Sequence, residues 1–236
     1  MKINAEKFLS EINNINLLEN VFLISGNEPG LISGVERKII DIVSKKNNEA
    51  VDLVEINHSE KRELSERLNS SSLFSSYNII TIKSLDKKII DTIENENIDK
   101  NTIIISDSKI KNSSKTKNYF DYHKKFYSVS CYSISKSYKK QIIDLSLTNR
   151  SKPLTKNAYW FLIENISNDY QILKNELEKL SLYADQSLEI EDVVKILSDN
   201  NKLELDEFFF DSLLSTNEGI IIKSNKAIKS LSDAYI

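Results

Sequence analysis

The sequence predicts an α/β protein: a parallel sheet with helices on both faces, followed by an all-helical region. Three observations predict it. Over the first 132 residues, short β-rich apolar runs alternate regularly with segments of helical periodicity. Several of the apolar runs have no polar face, as strands do when helices cover both sides of a parallel sheet. After Cys131 the strand signals stop, and every later segment reads as helix.

The elements follow in order. Strands are expected at VFLIS (21–25), VDLVEI (51–56), NIITIK (78–83), TIIIS (102–106) and YSVSCY (127–132). A leading helix is expected over 4–17, and further helices over 30–46, 60–69, 86–97 and 114–125. In 30–46, Leu31, Val35, Ile39, Ile40 and Val43 recur at helical spacing. Beyond the sheet, 136–147, 155–166, 169–184, 190–198, 204–215 and 217–232 read as helix. Thr155 and Asp169 are expected as N-caps, and Leu173, Leu177, Leu180 and Ala184 form one stripe. The phenylalanine-rich end, with Phe208, Phe209 and Phe210, reads as the start of a third domain.

Composition bounds the class. The 236 residues are 40% hydrophobic and 28% charged, ordinary values for a globular protein. Four glycines and two prolines argue against long linkers and against a turn-dense all-β chain. No apolar run approaches the ~20 residues that span a bilayer, and MKINAEKFLSEINN lacks the apolar core of a signal peptide. The single cysteine, Cys131, excludes an internal disulfide and suits a reducing compartment. The expected location is cytoplasmic, with no membrane partner.

Charge is uneven. Residues 101–140 carry nine lysines against Asp107 and Asp121, whereas from Pro153 onward eight lysines face fifteen acids. The first segment is either a solvated face or a nucleic-acid-facing patch.

No catalytic constellation emerges. The turn after the first strand reads SGNEPGLISGVERK. A phosphate-cradling loop needs G-x-x-x-x-G-K-[ST], with backbone N–H groups, a lysine and a hydroxyl for phosphates and Mg²⁺. Counted from Gly26, the second glycine and the lysine are Leu31 and Ile32; counted from Gly30, they are Val35 and Glu36. The strand TIIISDSK ends in Asp107 alone, without the paired acids of an active ATPase. His58 and His123 are solitary and read as surface residues, and Cys131 reads as packing. No cofactor or metal is implied.

These pieces together carry a resemblance. VFLISGNEPGLI, SSLFSSYNIITI, NTIIISDSKIKNSSK, SVSCY, NDYQILKNELEKLSLY and EIEDVVKIL occur in order along nearly the whole chain. The chain thereby resembles the delta subunit of the bacterial DNA polymerase III clamp loader. The resemblance implies an AAA+-like, P-loop-NTPase-like α/β domain without a functional P-loop over 1–135. It further implies a helical lid over 136–200 and the start of a helical collar, truncated, over 201–236. It implies a non-catalytic subunit of a DNA polymerase holoenzyme that binds no ATP and opens the sliding clamp for loading on primed DNA. The arginine of the Ser-Arg-Cys motif found in ATP-sensing loader subunits is absent; the comparable residues are Ser128-Val129-Ser130-Cys131.

The resemblance also assigns the stretch SSSLFSSY, where Leu73 and Phe74 stand among serines: the pair would enter the hydrophobic pocket of the sliding clamp (the beta subunit). The other implied partners are gamma/tau and delta prime, given a complete collar, and primed DNA within the assembled loader. Lys109, Lys111, Lys115 and Lys117 are the candidates for facing that DNA. Two rival readings stand beside this one: a degenerate P-loop hydrolase, and a lysine-rich nucleic-acid-binding module that would also use Lys124 and Lys125.

Overall fold

Strands rich in isoleucine and valine have stiff branched side chains that pack well on a pleated surface. Six of them pair in parallel here: β1 (Lys2–Asn4), β2 (Val21–Gly26), β3 (Val51–Ile56), β4 (Tyr77–Ile82), β5 (Asn101–Asp107) and β6 (Tyr127–Cys131). Their spatial order is β1-β6-β2-β5-β4-β3. The structure, a computed structural model, describes residues 1–18, 20–46, 51–56, 61–69, 77–148 and 150–197. Leu73, Phe74, His58 and the helices expected at 204–215 and 217–232 lie outside the described residues.

Parallel neighbours need long crossovers, and helices supply them. They are α1 (Ala5–Glu11), α2 (Pro29–Lys46), α3 (Lys61–Asn69), α4 (Lys87–Asn95) and α5 (Lys115–Tyr122). Then come α6 (Lys136–Leu147), α7 (Lys156–Asn165), α8 (Tyr170–Ser181) and α9 (Ile190–Ile196). The described chain forms two compact units. One holds Met1–Thr148 with Asn168–Leu177, so that α6 and the first turns of α8 group with the sheet. The other holds Asn149–Ser167 with the residues from Glu178 onward.

Both faces of the sheet are buried along β2, β4, β5 and β6, as the apolar runs predict, whereas the edge strand β3 buries only Ile56 and leaves Leu53 exposed. Val21, Leu23, Ile80, Ile82, Ile103 and Ile105 point to one side, against Leu64 and Leu68 of α3, Ile89 and Ile93 of α4, and Phe120 of α5. The alternate residues point the other way. There Phe22 stacks on Tyr127 and meets Phe8 of α1 edge to face, and Val35, Ile39 and Val43 of α2 are fully buried. Each such side chain contributes roughly 1.5–3 kcal/mol on burial.

The start of the chain differs from expectation. Residues 2–4 form an edge strand on β6, and the helix that Asn4 caps ends at Glu11 instead of near residue 17. The asparagine-rich sequence that follows is poor in helix formers, and it continues as a 3₁₀ turn over Ile12–Asn14. The backbone beyond is pinned where Thr102 donates to the Leu17 carbonyl at 2.9 Å.

In the second unit, Ala158, Leu162, Ile166, Leu180, Leu188 and Val193 form the buried centre. Thr155 caps α7 as expected. Arg150 gathers the carbonyls of Lys152, Leu180, Tyr183 and Gln186, serving the orphan acceptors at the end of α8.

The edge of the sheet is tied by charge. Asp121 of α5 accepts from Ser128 of β6 and pairs with Lys117 at 3.2 Å and with Lys2 of β1 at 3.1 Å. Burial opposes ionisation of Asp121, but these donors together hold its carboxyl below the usual 3.8. Because Lys117 is 2% exposed, deleting Asp121 would strand a buried ammonium. We predict that Asp121→Ala destabilises the protein by about 3–5 kcal/mol. The wild-type contribution of Asp121 is present above the ordinary carboxylate range and disappears as pH falls through its lowered folded value. Denaturant titrations of both proteins at neutral and acid pH should therefore converge in acid.

Candidate functional site

In an open α/β sheet, ligands bind beyond the carboxyl ends of the strands, where the strand order reverses. Here that place is the end of β2, flanked by β5 and β6. The turn Gly26–Glu28 leads from it into α2, which Pro29 starts in the position where a missing N–H costs nothing.

This turn is closed onto the sheet. Gly26 is paired with Cys131 in register, and a Cβ on residue 26 would stand 1.7 Å from the Cys131 carbonyl oxygen. Only glycine fits so close an approach. The same carbonyl accepts the Glu28 N–H at 3.3 Å, so a donor that could face a phosphate is used within the protein. Ser25, 1% exposed, points its hydroxyl into the interior, where it finds no partner among the described residues.

Over the turn lies the start of α8. Asp169 caps it as expected, accepting from the Ile172 N–H at 2.9 Å. The next two residues press on α2: a Cβ at Gly30 would meet Cβ of Gln171 at 2.7 Å, and one at Gly34 would meet the Tyr170 ring at 2.6 Å. Arg37 of α2 donates to Gln171 at 2.9 Å, fixing the contact. The small residues of GLISG therefore serve helix packing.

The charge is also wrong for phosphate. The Glu28 carboxylate accepts the Tyr170 N–H at the N-terminus of α8, the end that attracts anions. It lies beside Asp169, and burial first, then the neighbouring carboxylate and the hydrogen bond between the two, raise its pKa above 4.5. Burial and the Glu28 charge push the Cys131 thiol up to about 12, so it is an inert packing group as the sequence suggested.

The remaining polar groups at the strand ends hold loops. Asp107 accepts from the Leu85 N–H at 3.0 Å and from the Lys109 N–H at 2.9 Å, joining the loops after β4 and β5. Glu36 of α2, 8% exposed, accepts from Lys83 and from Ser106, both at 2.7 Å. Neither acid is left open to hold a metal or direct a water. Among the described residues no group of three metal-ligating side chains occurs, and no helix is long and apolar enough to cross a membrane.

The lysine-rich segment does not form one patch. Lys109 and Lys111 are exposed near the carboxyl end of the sheet, in a loop tied to Tyr132 through Asn112 at 2.8 Å, and Lys115 is exposed at the start of α5. Lys117 is a correction: it is buried and paired with Asp121, so it faces no DNA. Lys124 and Lys125 are exposed at the other end of α5, an eight-residue helix about 12 Å long. His123 is likewise no free surface residue, since Nδ1 accepts the N–H groups of Lys125 and Phe126.

The functional residues that sequence reasoning missed are Glu28, Tyr170 and Gln171. Their signal was present in GNEPG and NDYQ, but nothing in linear spacing brings the two segments together.

No protein-family model matches the chain, and no curated protein sequence matches it. Solved structures do. A Bacillus subtilis DNA clamp loader delta protein superposes with a TM-score of 0.55 at 12% identity, over 97% of this chain and 70% of that one. The Thermotoga maritima RuvB Holliday junction branch migration motor superposes with a TM-score of 0.52 at 13% identity, over 89% of this chain and 75% of that one. The fold these likenesses show is α/β, a parallel sheet with helices.

A carboxyl with a raised folded pKa favours the folded state in acid and loses that contribution as pH rises through the folded value. We therefore predict that Glu28→Gln flattens the decline in stability between pH 4.5 and neutrality. Thermal midpoints across that range should show the variant gaining on wild type as pH rises. Gly26→Ala should unfold at a markedly lower temperature at every pH, because the Cys131 carbonyl cannot retreat without breaking the β2–β6 pairing.

Proposed function

We propose that the chain is a delta-type subunit of a DNA sliding-clamp loader, one that binds and opens the ring-shaped clamp and does not itself hydrolyse ATP. The observation that carries this reading is the closed turn after β2 in an AAA+-like sheet. The fold alone does not decide, since a branch migration motor shares it. In this chain, however, the lysine that would meet phosphate is replaced by Ile32, counted from Gly26, while Ser33 keeps the hydroxyl, and the turn itself is backed by Glu28 and Asp169. A hydroxyl without its lysine leaves phosphate charge uncompensated. The likeness to a clamp loader delta protein over nearly the whole chain supports the same reading.

In this role Leu73 and Phe74 are the anchor. They lie in SSSLFSSY, which falls between α3 and β4 in the sequence. Two adjacent bulky apolar side chains entering one pocket give the concentrated burial that dominates interface energies. Opening follows if the subunit fits the opened ring better than the closed one, which requires no nucleotide of its own. The other subunits of the loader and primed DNA are the remaining partners, in the cytoplasm. Lys109, Lys111 and Lys115 are the lysines offered to DNA, as they stand exposed.

The test is capture of purified sliding clamp from the same source. Burial of each anchor is worth roughly 1.5–3 kcal/mol. The double change Leu73→Ala, Phe74→Ala should therefore weaken capture by about a hundredfold or more, with the thermal midpoint within a few degrees of wild type. Unchanged capture by a folded double mutant would refute the assignment, and no capture by wild type would refute the function.

A further inference from the structure

At the amino ends of β5 and β6, away from the closed turn, α4 and α5 border a cleft of about 560 Å³. Its walls are unusual for a surface cleft. Tyr119, Tyr122, His123 and Phe126 line it together with Lys124 and Lys125. The aromatic wall is preorganised. His123 stacks on Phe126 with centroids 3.9 Å apart and planes 17° apart, and Tyr119 lies 5.3 Å from His123. The imidazole is locked from behind, because its Nδ1 accepts the Lys125 and Phe126 N–H groups at 3.2 and 3.0 Å. That leaves Nε2 as its donor in the neutral ring.

Beside this wall stands Tyr122, 86% exposed, more than any other large apolar side chain among the described residues. A tyrosine with its ring in water at the mouth of an aromatic cleft has a free face for stacking. Both lysines are exposed next to it in sequence, and the opposing charge in the cleft is Glu94 alone. The Tyr119 hydroxyl is buried and makes no hydrogen bond of normal geometry among the described residues. Burial and then Glu94 push it up to about 12, so it stays neutral.

We propose that this cleft binds an unpaired nucleotide of single-stranded DNA, the base stacking on Tyr122 and the phosphates facing Lys124 and Lys125. Flat aromatic faces beside cations are the combination that single strands need: every base has a π-face, and every linkage a negative charge. An acidic peptide would use the lysines but leave the rings without work. A duplex keeps its bases stacked inside and cannot use Tyr122. The volume suits one nucleotide and leaves adjoining residues of the strand to run along the open mouth. The inference does not rest on the clamp reading, and the two fail separately, since clamp capture tests one and DNA binding tests the other.

The experiment is fluorescence anisotropy with a labelled oligothymidylate of about twelve nucleotides, with a duplex of the same length and thymidine monophosphate as competitors. Wild type should bind the single strand at low salt, weakly, and in preference to both competitors. Tyr122→Ala should weaken binding roughly five- to a hundredfold, and Tyr122→Phe should restore most of it. The double change Lys124→Ala, Lys125→Ala should lower the slope of log affinity against log salt by about 1.4, from ~0.7 per phosphate. The triple change Lys109→Ala, Lys111→Ala, Lys115→Ala should leave single-strand binding within about twofold. The proposal is overturned if wild type does not bind the strand, or if Tyr122→Ala, at a surface position that cannot affect folding, binds as wild type does. It is equally overturned if duplex or monophosphate competes as well as the strand, or if the triple change is the one that abolishes binding.

Discussion

The contact between Gly26 and the Cys131 carbonyl fixes what this fold can do. Two parallel strand ends approach so closely that no side chain fits between them, with 1.7 Å left where a Cβ would stand. The turn that follows must therefore run along β6, and its N–H at Glu28 is consumed by the same carbonyl. From that start the direction of α2 is set, and with it the surface on which Tyr170 and Gln171 rest through Gly34 and Gly30. A turn of this shape cannot wrap around an anion. The acids around it reinforce the geometry, since Glu28 occupies the anion-attracting N-terminus of α8 and, with Asp169, sets carboxylates beside the turn.

What remains is a parallel α/β scaffold whose polar groups are spent on its own rigidity. Asp107 ties two loops, Glu36 joins α2 to the ends of β4 and β5, and Asp121 binds α5 to β6 and β1. The lysines between residues 109 and 125 divide likewise: Lys117 is paired and structural, while Lys109, Lys111 and Lys115 stand exposed at one end of the sheet and Lys124 and Lys125 at the other.

Much of this was legible in the sequence, for identifiable reasons. Runs such as TIIIS, whose central isoleucines leave neither face polar, read as strands covered on both sides, and β5 is buried from Asn101 to Ser106. The caps Thr155 and Asp169 were legible because their side chains answer N–H groups two or three residues away. The absent phosphate loop was legible because its spacing is local. What stayed hidden depends on distance along the chain. Lys2–Asn4 is too short to show a period, and gains its strand character from pairing with Ser128–Ser130. Lys117 looked like any surface lysine until Asp121, four residues on, was found buried beside it under β1. The meeting of Glu28 with Asp169 spans most of the chain, and the aromatic cleft needs α4 and α5 brought together from either side of β5 in the sequence.

The central claim is that the place where open α/β sheets bind ligands, beyond the end of β2, is closed by the chain itself. Isothermal titration of the whole chain with ATP and Mg²⁺ tests it most directly. The account predicts no saturable heat up to about millimolar nucleotide, a binding free energy weaker than about 4 kcal/mol. Saturable binding at micromolar ATP, lost on substitution of residues 26–34, would show that the turn opens to hold phosphate and would contradict the account.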